Sequence, residues 1–117
     1  MKLRKTMDRW DIETNLGYGW DVECSEYTRK DAKAQLKCYR ENSYGRYDVR
    51  LSKHREKITR LYYYKMQIPS TRYPDNYAGI TFDKTGYNAR IVVYGRRLEE
   101  KEAIEYGLEL EREEDTA

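Results

Sequence analysis

His54 is the single histidine of this 117-residue chain, and it stands inside a basic run, RLSKHREK. A lone imidazole among cations, with no nucleophile or orienting acid beside it in sequence, reads as an exposed strand or turn histidine rather than a general base. Cys24 and Cys38 have no metal-ligand spacing, and the pattern fits two reduced thiols packed as small hydrophobes. Pro74-Asp75 followed by Glu99-Glu100-Lys101 has the residue types with which nucleases hold a divalent ion, but Glu99 to Lys101 open a helix instead of lying on a neighbouring strand. No phosphate-binding loop or nucleophile elbow occurs. The sequence therefore predicts no catalytic residue, no metal and no cofactor.

Charge is the stronger signal. The net charge of +2 conceals two acidic regions flanking a basic one. Residues 8–26 hold six acids against Arg9, and residues 98–117 hold nine against Lys101 and Arg112. Between them, residues 46–65 carry seven Lys/Arg against Asp48 and Glu56. Asp11, Glu13, Asp21 and Glu23 fall on one outward face of a hairpin, and such an array can imitate phosphates on a basic channel. The plainer reading is a solvated face, or one paired across strands, with Arg50 opposite Asp11 or Glu23. Basic residues beside tyrosines would also suit nucleic acid.

These residues need elements to hold them. RWDIET alternates, with Trp10, Ile12 and Thr14 inward; after the NLGYG loop, WDVEC places Trp20, Val22 and Cys24 inward. A helix follows from Thr28, whose pairing with Asp31 is a weak capping box, and Asn42 is its expected left-handed stop. Ala32, Gln35, Leu36 and Tyr39 form its inward stripe. RYDVRLS, KITRLYYYKMQI, AGITFD and YNARIVVY read as strands, Pro69 and Pro74 bracket an irregular segment, and a turn spans 83–86. LEEKEAIEYGLELEREED reads as a closing helix with Leu98, Ala103, Ile104, Leu108 and Leu110 inward. The expectation is one compact α+β domain of two hairpin-plus-helix units, β-β-α-β over 1–56 and β-β-β-α over 57–117, sharing an antiparallel sheet.

Thirteen residues are Tyr and one is Phe, so the core must lean on rings whose hydroxyls need partners. In LYYYKMQI (61–68), strand parity sends Tyr62 and Tyr64 inward with Met66 and Ile68. Tyr63 goes outward with Lys65 and Gln67, as one exposed aromatic anchor.

Two resemblances add to this. Tyr18 to Val22 (YGWDV), LKCYREN (36–42) and YDVRL (47–51) resemble small proteins encoded in phages and prophages of Gram-positive bacteria. Gly79 to Asp83, Ala89-Arg90-Ile91, Gly95-Arg96-Arg97 and Glu102-Ala103 are similar to the ethylene-response-factor type of DNA-binding domain, also found in phage integrase arms. The second resemblance implies DNA contacts by Tyr87, Arg90, Arg96 and Arg97. The first implies a non-enzymatic binding protein, with an anti-CRISPR-like inhibitor of a host defence nuclease as the specific expectation. Asp11, Glu13, Asp21, Glu23 and Tyr63 would then contact the host protein, a CRISPR effector nuclease among the candidates. A DNA-binding phage protein and a structural or assembly protein are the competing classes. MKLRKTM lacks a signal-like apolar stretch and no run reaches membrane-spanning length, so the host cytoplasm is expected; the oligomeric state is left open.

Overall fold

The computed structural model describes residues 2–67, 72–83 and 89–116. In chain order the elements are strands β1 (Thr6–Asn15) and β2 (Trp20–Glu26), helix α1 (Arg29–Ser43), and strands β3 (Asp48–Lys57), β4 (Arg60–Met66), β5 (Gly79–Phe82) and β6 (Arg90–Tyr94). Helix α2 (Glu100–Glu105) and strand β7 (Leu108–Asp115) complete the chain. The α+β class follows from the alternating patterns, as expected. The sheet, however, is not shared. One antiparallel sheet runs β2-β1-β3 and a second runs β5-β6-β4-β7. The chain divides into two units, one of Asp8–Glu56 and one made of Met1–Met7 together with Lys57–Ala117. Among the described residues no helix is long and apolar enough to cross a membrane. Ile68, Pro69 and most of the turn expected at 83–86 lie outside the described residues.

In the Asp8–Glu56 unit, the alternation of β1 buries Trp10, Ile12 and Thr14. Thr28 starts α1 by accepting the Asp31 N–H at 3.2 Å, which satisfies one of the free donors of the first turn. Ala32 is fully buried, and Gln35, Leu36 and Tyr39 are half-buried beside it. Tyr39 reaches the Cys24 thiol, so Cys24 of β2 lies on the side that α1 covers. The helix ends two residues later than expected, at Tyr44 (φ 51°) and not at Asn42. Buried Ser43 donates to the Arg40 carbonyl at 2.9 Å and so holds the extra turn.

In the other unit, Tyr64, Met66, Val92, Tyr94, Leu98 and Leu108 form the core. Tyr64 and Tyr94 meet edge to face, with centroids 5.9 Å apart. Their hydroxyls are satisfied: Tyr94 donates to the Pro74 carbonyl at 2.6 Å, and Tyr64 accepts the Leu98 N–H at 2.9 Å. That satisfaction lets tyrosine occupy the centre of a core and not only its margin.

The expected C-terminal helix is the main correction to the fold. It stops at Glu105, and Gly107 (φ 65°) turns the chain into β7 against β4. A continued helix would stack the acids of 109–115 at its own negative end. As a strand, the same acids find cations, with Arg60 2.7 Å from Glu113 and 3.3 Å from Asp115. Leu108 and Leu110 pair with Met66 and Tyr64, whereas Ile104, expected inward, is exposed.

Close packing around Gly95 gives a simple test of this unit. A Cβ there would lie 2.6 Å from Ile58 Cγ1 and 3.1 Å from Met7 Sδ. Gly95→Ala is expected to destabilise by about 1–3 kcal/mol through overpacking, read as a lowered urea midpoint.

Candidate functional site

Strand β2 is an edge of its sheet, and its pairing with β1 contains one irregularity. Ile12 pairs with Cys24 but Glu13 pairs with Val22, so Glu23 is an extra residue on β2. Such a β-bulge reverses the inside–outside alternation beyond it. Cys24 keeps its place under α1. Trp20 and Val22, expected inward with it, are instead exposed on the side of Glu13. Arg50 confirms the sharing: its Nε donates to Glu13 Oε1 at 2.7 Å while its guanidinium lies 4.0 Å from the Trp20 ring centre.

The loop before β2 adds two more apolar side chains. Asn15 Oδ1 accepts the N–H groups of Gly17 (2.8 Å) and Gly19 (3.3 Å), which fixes a turn around Tyr18. Tyr18 is 97% exposed and Leu16 64%, with Val22 at 54% and Trp20 at 36%. Four large apolar groups therefore stand in solvent within seven positions. The sequence signal was there for two of them: Leu16 and Tyr18 sit in a tight glycine turn that offers nothing to bury them. Trp20 and Val22 were hidden by the bulge.

The acidic face is not the uniform array that strand parity suggests. Asp11 and Glu13 are buried. Arg9 donates to both oxygens of Asp11 at 3.0 and 3.2 Å, the Ser25 hydroxyl donates at 2.7 Å, and His54 Nε2 lies 3.4 Å away. Burial pushes the Asp11 carboxyl up, but the Ser25 and Arg9 donors outweigh it and hold it below the usual carboxylate range. Only Asp21 and Glu23 remain exposed, and Glu23 accepts the Thr14 hydroxyl at 2.7 Å. The basic strand β3 thus neutralises its own neighbour: Arg50 takes Glu13, and Lys53 lies 3.8 Å from Asp8.

Asp11, Glu13 and His54 bring ligand-type atoms within 4.8 Å of one another, the one metal-compatible group among the described residues. Two guanidiniums already occupy its carboxylates, so this donor set has the chemistry of an ion-pair ladder. Cys24 is half-buried against Tyr39 and Cys38 is exposed on α1.

The remaining expected site residues lie in the other unit. Tyr63 does point away from Tyr64, but it is not an exposed ring. Arg112 of β7 lies 4.2 Å over it, its hydroxyl donates to Glu114 at 3.1 Å, and it is buried. Burial and Glu114 together push that hydroxyl's pKa up. Arg96 and Arg97 follow the end of β6 and so do not project from the sheet. Arg96 grips Glu102 through two bonds of 2.9 and 3.1 Å, and Arg97 lies 3.8 Å from Glu113. Arg90 is half-buried, 6.0 Å from the Tyr73 ring centre. Tyr87 lies outside the described residues.

No protein-family model matches the chain, and no match occurs among curated proteins or solved structures. The functional reading therefore rests on the geometry of the hairpin.

Proposed function

We propose that this chain is a non-enzymatic protein of phage or mobile-element origin that binds a host protein, inhibiting a nucleic-acid-targeting defence nuclease in the manner of an anti-CRISPR protein. The observation that carries the reading is the group of four exposed apolar residues on the β1–β2 hairpin, Leu16, Tyr18, Trp20 and Val22. Exposed apolar groups gathered on an edge hairpin mark an interaction surface, and Tyr and Trp are the usual anchors of protein interfaces. Asp21 and Glu23 are exposed on the same strand, with Asp21 on the face opposite Trp20 and Val22. Their charge suits the basic channel through which a nuclease holds its nucleic acid. The contact surface so defined replaces the one expected from Asp11, Glu13 and Tyr63, whose side chains are engaged within the protein. The inhibitor would act in the cytoplasm of the host cell.

The test is cleavage by purified host defence nucleases with increasing amounts of the protein. Tyr18→Ala with Trp20→Ala is expected to weaken inhibition at least ~30-fold, corresponding to about 2 kcal/mol for a central aromatic anchor. Tyr18→Ala alone should leave thermal unfolding unchanged, since its ring touches little. Absence of inhibition by the unaltered protein across such a panel would reject the reading. Full inhibition by the double variant would reject the hairpin as its surface.

A further inference from the structure

The Asp8–Glu56 unit holds ten acidic and ten basic residues, yet they are not evenly paired. Three cations of β1 and β3 engage carboxylates: Arg50 with Glu13, Lys53 with Asp8, and Arg9 with Asp11 and Glu56. Those of α1 engage carboxylates far less. Arg29, Lys30, Lys33, Lys37 and Arg40 are all exposed, and among the described residues the one ion pair any of them makes is a 4.0 Å contact of Lys37 with Glu41. At about 100° per residue, these five fall within roughly a quarter of the helix circumference, on a flank separate from the buried Ala32 and Ser43.

Their position along the helix matters as much as their number. Arg29 and Lys30 occupy the first turn, where the helix macrodipole is positive, and only Asp31 opposes them there. Cations at that end work against helix stability. An anion bound along this flank relieves both the mutual repulsion of the five charges and their conflict with the dipole.

We propose that the exposed flank of α1 is a docking surface for the phosphate backbone of duplex DNA. A helix is about 10–12 Å across with its side chains, and the major groove of B-DNA is about 12 Å wide. The deep, narrow major groove of duplex RNA excludes such an element, so the shape selects DNA. Five cations spaced along one flank match a run of backbone phosphates, and such contacts set position and affinity more than sequence. It is a different surface from the DNA-contacting residues implied by resemblance, of which Arg96 and Arg97 are engaged with Glu102 and Glu113. The inference does not rest on the hairpin reading.

The experiment is fluorescence anisotropy of a labelled 20-base-pair DNA duplex with the full chain from about 50 to 200 mM salt. Four or five phosphate contacts predict a log–log salt slope of about −4 and a loss on the order of 100-fold over that range. Lys33→Glu with Lys37→Glu is expected to reduce affinity at least tenfold, and Lys33→Gln with Lys37→Gln, which retains good helix formers, guards against a folding defect. Lys30→Glu should move two readouts in opposite directions, weakening DNA binding while raising the unfolding temperature. No duplex binding at 50 mM salt overturns the proposal. So does wild-type affinity in both double variants, or preferential binding of duplex RNA or of polyglutamate.

Discussion

Tyr94→Ala is expected to lower the unfolding free energy by about 3–5 kcal/mol, the range for deleting a fully buried aromatic ring. Tyr94 has no exposed surface, and it stands on β6 between β5 and β4. Removing the ring loses its burial, its edge-to-face contact with Tyr64 and the bond to the Pro74 carbonyl together. Tyr94→Phe isolates the last of these and should cost about 1–3 kcal/mol, since it leaves a buried carbonyl without its donor. Burial pushes the Tyr94 hydroxyl well above the ordinary tyrosine range, which favours the protonated, donating form. Urea denaturation followed by near-ultraviolet circular dichroism reads both variants. A cost below about 1 kcal/mol for Tyr94→Ala would mean that the core is centred elsewhere.

Asp11→Ala should cost the Asp8–Glu56 unit about 1–3 kcal/mol at neutral pH, because a buried carboxylate loses its charge-assisted bonds from the Ser25 hydroxyl and the Arg9 guanidinium. Its pH signature is more specific. The carboxyl's folded pKa lies below its unfolded value, so its stabilisation is complete above the unfolded value of about 4 and fades as pH falls through the folded one. The unaltered protein should therefore lose stability on acidification below about pH 4, and Asp11→Ala should show a shallower acid limb. Urea midpoints between pH 3 and 7 decide it. An acid limb unchanged by the substitution would assign the sensitivity to other carboxylates.

Much of the first unit was legible in the sequence because its signals are local. The alternation of RWDIET, the Thr28 cap and the apolar stripe of α1 each depend on a few adjacent residues, and each appears where expected. The errors share a different cause. Leu, Glu and Arg are all good helix formers, so LELEREED read as helix. What decides for strand is a distant partner, Arg60 and the tyrosines of β4, together with a left-handed Gly107. Tyr63 was placed on the right face, but no local pattern announces that Arg112, 49 positions later, will cover it. Strand parity for the carboxylates likewise said which way Asp11 and Glu13 point, not that Arg9, His54 and Arg50 would close over them.

The extra residue on β2 sets the phase of everything between it and the turn. Along a strand, facing is a two-state register, and one inserted position inverts every later state while leaving composition untouched. Deleting Glu23 would restore even counting: Trp20 and Val22 would swing toward the helix side and Asp21 toward the side they left. Substitutions at the anchors can only weaken the hairpin's outer surface by degrees. A loss or gain of one codon here would exchange it for another, so the length of β2, more than any single side chain on it, defines which groups the hairpin turns outward.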